Sequence, residues 1–314
     1  MKVLVPDSLA LTFETSDENF QFIKYSVSAT DFSAVQDAEL LVLWMNTDAN
    51  LKAAVTQLKQ LKLVQTLAAG PDHALSAGFD TQIAIASGRS LHDKPVTEHA
   101  LALILASVRH LDELLISQKN SYWSSEYISA QAALESSHLY TLNGSKVLVV
   151  GFGSIASQLS PILTALGAEV RGAARNSGHR SGYEVVEITS ISKILSEFDI
   201  VISLLPYSAE TEKFFDKDFF GLMKKSAIFI NIGRGKTVDE DALLQALNTK
   251  EIRRAAIDVS YVEPLPNESP LWKCPQLIIT PHISGGRPLQ SEKLITANAL
   301  NLANSQPILN LVAR

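Results

Sequence analysis

"KVLVVGFGSIASQL" runs from Lys146 to Leu159. Its first five residues read as a buried strand, and the apolar spacing from Ser154 onward reads as a helix. Between them Gly151, Gly153 and Ala156 form G-x-G-x-x-A. Glycine at 151 allows a tight turn, glycine at 153 lets the backbone approach a pyrophosphate, and alanine at 156 lets helix and strand pack closely. Ser154 and Ile155 open the helix, whose first N–H groups face negative charge. The same letters alone would also describe an empty glycine turn. The strand–loop–helix context points instead to a dinucleotide held by Gly151, Gly153, Ser154 and Ile155.

Working outward, the same alternation recurs along the chain. "KVLV" (2–5), "ELLVLWM" (39–45), "LKLVQTLA" (61–68) and "IAIAS" (83–87) read as strands, with a helix over 50–61 between the second and third. A long helix is expected from Pro95 to Gln118, capped by Asp93. The serine-rich stretch 117–138 reads as a surface arm or loop without clear periodicity. Tyr122 and Trp123 in it either pin the arm to its own domain or reach a neighbouring subunit. A second series then gives strands at 146–151, 168–174, 199–205, 227–232, 255–259 and 277–282. Helical patterns at 154–166, 189–197, 216–224 and 239–249 separate most of them, and a last helix follows near the end of the chain. The pattern specifies an α/β fold: two Rossmann-like, doubly wound parallel-sheet domains with a cleft between them. Residues 1–93 with 286–314 form one domain, and residues 94–285 form the dinucleotide-binding one.

The stretch "VRGAARNSGHR" (170–180) sits where such a domain normally keeps an acid for the adenosine ribose. Here the strand ends at Ala174, which neither binds the ribose hydroxyls nor repels a 2′-phosphate. Arg175 can pair with a phosphate, and Asn176 and Ser177 can donate to it. The plain alternative is a solvated polar loop with Arg175 in water. The residue types favour NADP(H), with NAD(H) left possible.

Four further motifs fall at strand ends, where ligands bind in an open parallel sheet. "VISLLPYSAET" (201–211) offers Pro206 and Thr211 to a cofactor. "NIGRGKTVDEDAL" (231–243) sets Arg234 in a glycine-flanked turn. "AAIDVSYVEPLP" (255–266) carries Asp258 and Glu263, and "LIITPHISGG" (277–286) carries His282. Singly, each has a structural reading. Together, "NIGRG", "DVSYVEPL" and "TPH" resemble the D-isomer-specific 2-hydroxyacid dehydrogenase family. "GPDHAL" (70–75) resembles that family's substrate loop, and "VTEHALALILASVR" (96–109) its long interdomain helix.

The resemblance implies hydride transfer from NAD(P)H to a small 2-keto acid, giving a D-2-hydroxyacid. Arg234 would bind the keto acid's carboxylate and carbonyl oxygen. His282 would give a proton to that oxygen. Glu263 would orient the imidazole and favour its protonated form. Asp258 would hold the nicotinamide carboxamide. Backbone N–H groups at Ala69 and Gly70 would bind the substrate carboxylate. A homodimer joined through the long-helix region is implied as well. Ser260 departs from the family, standing where relatives usually carry an aromatic residue. The loop at 174–177 moves the chain toward the NADPH-using members. Two other readings stay open: a dinucleotide-sensing, corepressor-like protein, and an NAD-dependent biosynthetic dehydrogenase of a phosphorylated hydroxyacid. The second would need extra base near the substrate loop, where "LAAGPDHAL" offers only His73.

Bulk composition narrows the rest. Net charge is −6, from 27 basic and 33 acidic residues, so a nucleic-acid partner is not expected. Cys274 is the single cysteine, which excludes an internal disulfide and a thiolate cluster, and no residue spacing suggests a metal. His99 and His110 on the long helix read as packed or surface histidines rather than ligands. The run "ALALILASV" (100–108) is about half the ~20 residues of a membrane span. "MKVLVPDSLA" reads as a strand rather than a signal peptide, so no membrane partner and a cytoplasmic protein are expected.

Overall fold

The computed structural model describes residues 1–13, 19–132 and 140–312. The chain divides into two compact units, one of residues 1–92 and 287–314, the other of residues 93–286.

In the first unit, strands β1 (Lys2–Pro6), β2 (Gln21–Tyr25), β3 (Leu40–Leu43), β4 (Leu63–Thr66) and β5 (Ala84–Ala86) form a parallel sheet in the order β2-β1-β3-β4-β5. β3 and β4 are buried along their whole length. That is why β3 reads as a continuous apolar run rather than an alternation, while β4 buries Gln65 and Thr66 beside Leu63 and Val64. Leu4, Leu41 and Val64 face one layer with Leu51 and Ala54 of α1 (Asp48–Gln57) and with Leu58, which ends it. Val3, Val5, Leu40, Val42 and Leu63 face the other, with Ile295 and Ala299 of the C-terminal helix Ser291–Ala303. Thr47 caps α1 by accepting from the Asn50 N–H at 3.2 Å. A short helix α2 (Asp72–Ser76) follows β4. β2 is absent from the strands expected from sequence. It is an edge strand, only partly buried, and "QFIKY" lacks the apolar density of the central strands.

The second unit opens with α3 (Asp93–Val108), α4 (Leu111–Lys119) and α5 (Ser125–Ala132). Two expectations change here. The helix read as continuous to Gln118 breaks, because His110 takes the left-handed conformation at φ 54°. The break places the His110 ring 3.1 Å from the Arg253 guanidinium and 3.2 Å from that of Arg254. Arg254 lies inside the sheet with its side chain 2% exposed, and it also pairs with Asp112 and Glu113. A buried guanidinium needs such partners, and a straight helix would not converge all three on it. The arm read as a loop at 117–138 holds the end of α4 and all of α5; residues 133–138 lie outside the described residues.

The sheet of this unit contains β6 (Lys146–Val150), β7 (Glu169–Ala174), β8 (Gly178–Arg180), β9 (Tyr183–Glu187), β10 (Ile200–Ser203), β11 (Ile228–Asn231), β12 (Arg254–Ile257) and β13 (Leu277–Ile279). Its order is β13-β12-β11-β10-β6-β7-β9-β8, parallel except for β8. The six strands expected from sequence all form. β8 and β9 extend the sheet beyond them as a hairpin turning at Ser181 and Gly182, both at positive φ. β8 is too short and polar to register as a strand. The pattern at 189–197 forms two 3₁₀ turns rather than an α-helix. Helices α6 (Ser154–Ala165), α7 (Lys217–Leu222) and α8 (Glu240–Asn248) complete the layers, and two apolar cores cover the sheet faces.

Three glycines decide how closely the strand-end loops stack. A Cβ at Gly151, which sits at φ 98°, would lie 2.8 Å from the Leu204 carbonyl. At Gly233 it would lie 2.5 Å from the Leu205 oxygen, and at Gly235 it would lie 1.9 Å from the Ser260 oxygen. The neighbours are backbone atoms, which cannot swing away. Gly235→Ala is therefore expected to destabilise the protein by roughly 3 kcal/mol or more, as overpacking against fixed backbone does. Gly221→Ala, in a helix with open space around it, is expected to stay within about 1 kcal/mol of wild type. Thermal and urea unfolding of the two variants checks the contrast.

Candidate active site

The loops beyond the carboxyl ends of β6, β7 and β10 to β13 carry the second unit's candidate residues. At β6, Gly151 makes the turn and Gly153 precedes α6 in extended backbone, with no side chain capping the helix. A Cβ on Gly153 would meet nothing within 4 Å. No protein neighbour explains that glycine, whereas a pyrophosphate lying on the uncapped N–H groups of Ser154 and Ile155 would. The loop therefore fits the dinucleotide its sequence suggested.

At the end of β7, Ala174 is buried and Arg175, Asn176 and Ser177 are exposed. The Arg175 side chain is 84% exposed and reaches Glu210 at 3.4 Å, a loose solvated contact. Arg180, the last residue of the same stretch, is better anchored. Its guanidinium donates to the Phe152 carbonyl at 3.1 Å and the Asn176 carbonyl at 3.0 Å, tying the phosphate loop to the ribose-end loop. Only the hairpin β8–β9 puts it there. Beyond β10, the Thr211 hydroxyl donates to the Pro206 carbonyl at 2.8 Å and accepts from the Ser208 N–H at 2.7 Å, closing that loop on itself.

Arg234 follows β11 and is half-buried, its guanidinium donating to the Gly233 carbonyl at 2.8 Å. After β12, Asp258 is fully buried. One of its carboxylate oxygens accepts from the Thr280 hydroxyl at 2.5 Å and the Ile283 N–H at 3.1 Å, the other from the Ser284 N–H at 3.0 Å. Its backbone carbonyl accepts from the His282 N–H at 2.7 Å. His282 is held at φ 52°, a left-handed conformation costly for a residue other than glycine. The Asp258 contacts offset that cost.

The result is a short contact between Glu263 Oε2 and His282 Nδ1, at 2.6 Å. The other Glu263 oxygen accepts from the Ser260 N–H at 3.0 Å, so the carboxylate is fixed on both sides. Burial pushes the Glu263 carboxyl up. The hydrogen bonds from His282 and Ser260 and the charges of His282 and Arg234 together hold it below its ordinary range. Because the carboxylate accepts, Nδ1 of His282 carries a proton and Nε2 is the nitrogen left for proton exchange. The imidazole is 45% exposed, enough to meet a ligand. A cavity of about 450 Å³ adjoins the pair, lined by Asp258, Glu263, Leu265, Trp272, Pro281 and His282.

Of the expected residues, Arg234, Asp258, Glu263 and His282 thus gather on one sheet edge together with the phosphate loop. Ala69 and Gly70 lie in the first unit, in the bend after β4. His73 in the neighbouring helix faces Asp48 at 3.0 Å. Sequence reasoning missed the roles of Arg180 and of the Ser260 N–H. A main-chain donor leaves no signature in its own side chain. Among the described residues no helix is long and apolar enough to cross a membrane, and no group of acids, histidines and cysteine is placed to hold a metal.

Gly153→Ala is expected to fold as wild type, because the methyl meets no protein atom. It is also expected to weaken dinucleotide binding at least roughly tenfold by occupying the pyrophosphate's approach. Fluorescence titration beside a melting curve separates the two effects.

Known proteins resemble this chain in sequence and in fold. The sequence profile of the D-isomer-specific 2-hydroxyacid dehydrogenase NAD-binding domain matches residues 101–284. The human glyoxylate reductase/hydroxypyruvate reductase is 30% identical over 246 residues, covering 76% of this chain and 73% of that protein. A crystal structure of a D-isomer-specific 2-hydroxyacid dehydrogenase family protein from Aeromonas salmonicida superposes with TM-score 0.80 at 26% identity, over 99% of this chain and 98% of that one. A second, from Xanthobacter autotrophicus in complex with NADPH and MES, gives TM-score 0.73 at 25% identity over 88% and 85%. With the glycine loop, the Arg234 turn and the Glu263–His282 pair in place, this chain belongs to the D-isomer-specific 2-hydroxyacid dehydrogenase family of NAD(P)-dependent oxidoreductases.

Proposed function

We propose that the protein reduces a small 2-keto acid, of the glyoxylate, hydroxypyruvate or pyruvate type, to the D-2-hydroxyacid, with NADPH preferred over NADH. The observation that carries the proposal is the 2.6 Å Glu263–His282 contact on the same sheet edge as Arg234 and the phosphate loop. The human relative's name supports the substrate class. The NADPH in the Xanthobacter protein supports the cofactor.

Each residue has a task set by its surroundings. A bound reduced nicotinamide supplies the hydride. Gly151, Gly153, Ser154 and Ile155 hold the pyrophosphate, with Pro206 and Thr211 shaping the adjoining wall. Arg175, Asn176 and Ser177 are proposed to receive the 2′-phosphate. Asp258 orients the nicotinamide end, and it also holds the backbone that carries His282. Arg234 grips the carboxylate and carbonyl oxygen of the keto acid in its planar fork. His282 gives its Nε2 proton to the carbonyl oxygen as the alkoxide develops. Ionised Glu263 balances the positive charge on the imidazole until that moment. Ala69 and Gly70 are kept as proposed backbone donors to the substrate carboxylate. The protein is further proposed to be a cytoplasmic homodimer joined through α4, α5 and the turn between them, where Leu115, Ile116, Trp123 and Ile128 are exposed.

Absorbance of the reduced nicotinamide, followed with NADPH and NADH against glyoxylate, hydroxypyruvate and pyruvate, tests the reading. NADPH oxidation ahead of NADH is the expected result; tight dinucleotide binding without oxidation would reject it. His282→Ala should lower kcat by roughly 10²- to 10⁴-fold with cofactor binding intact, the range for a lost general acid. Arg175→Ala should weaken NADPH by roughly tenfold and leave NADH nearly unchanged, as loss of one charge-assisted hydrogen bond would. In Glu263→Gln the amide oxygen still accepts from Nδ1, but the charge is gone. With the charge facing the imidazole removed, kcat for reduction should fall by at least roughly tenfold while cofactor binding stays intact. Because Glu263 itself sits below the ordinary carboxyl range, the wild-type pair contributes fully above that range. It is lost only as pH falls through the depressed value.

A further inference from the structure

His99, on α3, points at the clamp that holds His282. Its Nε2 lies 2.9 Å from the Thr280 hydroxyl oxygen and 3.4 Å from the Asp258 oxygen that the same hydroxyl contacts. The side chain is 19% exposed, and Asp258 is fully enclosed. Proton counting fixes the direction of these contacts. A threonine hydroxyl has one hydrogen. The 2.5 Å separation from Asp258 is short for two oxygens unless that hydrogen lies between them, so Thr280 donates to Asp258. Thr280 therefore meets His99 with a lone pair, and the Nε2 of His99 must carry a hydrogen.

We infer that His99 is a positioning residue for the reaction, fixed with Nε2 protonated. It acts as the outermost donor of a chain running from His99 to Thr280 to Asp258 and on to the His282 backbone. The inference rests on the proposed role of His282. The consequence follows from what Asp258 does. Its carbonyl and carboxylate accept the successive N–H groups of residues 282, 283 and 284, which keeps His282 in its left-handed conformation with Nδ1 on Glu263. Thr280 precedes that turn, and His99 fixes Thr280 from the helix side. Without the His99 hydrogen, the Thr280 hydroxyl is free to rotate and to leave Asp258, and the turn loses one of its restraints. His99 contacts no reacting atom itself. Its effect is on how often the His282 imidazole stands where a proton can pass.

Two measurements decide it. The first needs no activity. Protein labelled with ¹⁵N-histidine, with the His99 signal assigned by its loss in His99→Gln, should show Nε2 protonated in the absence of ligands. A resonance with Nε2 unprotonated and Nδ1 protonated overturns the inference. The second uses NADPH and glyoxylate with the whole enzyme. His99→Leu should lower kcat by roughly 10- to 100-fold, the effect of misplacing a catalytic group, with the KM of the keto acid changed less than about threefold. His99→Gln, which returns an N–H at the same distance along the side chain, should recover most of the loss. The double variant His99→Leu with Thr280→Val should be no worse than the poorer single variant, since both cut one chain. Wild-type kcat in His99→Leu, no recovery in His99→Gln, or additive losses in the double variant would each overturn it. If the wild type reduces no keto acid, the functional reading fails, while the imidazole signal still decides the proton on His99.

Discussion

Backbone meeting backbone is the constraint on which the active edge depends. Arg234 comes level with the Glu263 loop because Gly235 lets its turn lie directly against the Ser260 carbonyl, where even one methyl group would sit 1.9 Å away. Gly233 and Gly151 do the same against the chain at Leu204 and Leu205. These glycines serve packing rather than flexibility. Gly153 differs from them, since its missing side chain leaves space open to a ligand rather than to the protein. The four thus separate into three that assemble the site and one that keeps it accessible.

On that frame, two carboxylates of similar chemistry take different tasks through their surroundings. Glu263 is partly exposed, shares one oxygen with a backbone N–H and gives the other to His282. Its charge is available to the imidazole. Asp258 is enclosed and surrounded by donors from the turn that follows β13. Its charge is spent on backbone geometry, at a place where the chain adopts an unfavourable φ. Placing a histidine rather than a glycine at such a φ makes sense only if the side chain is needed there.

A comparable trade is made far from the chemistry. Arg254 enters the sheet from β12 and would be an unpaired buried charge without His110, Asp112 and Glu113. Meeting it costs the continuity of the long helix, which stops at Val108 and restarts at Leu111.

The sequence by itself determined the parallel α/β organisation, the glycine loop and which four residues, Arg234, Asp258, Glu263 and His282, stand as the principal candidates for the site. Each of these is carried by local pattern: apolar runs of strand length, helical spacing, and motifs at strand ends. The tertiary structure decided what depends on partners distant along the chain. The break at His110 answers an arginine on β12, more than a hundred residues later. The hairpin β8–β9 is visible only as a sheet extension that sets Arg180 over the phosphate loop. His99 read as an ordinary packed histidine because its helix gives no hint that Thr280 and Asp258 lie against it. Hydrogen bonds and close backbone contacts between distant segments leave no periodicity in the sequence, so only the folded chain discloses them.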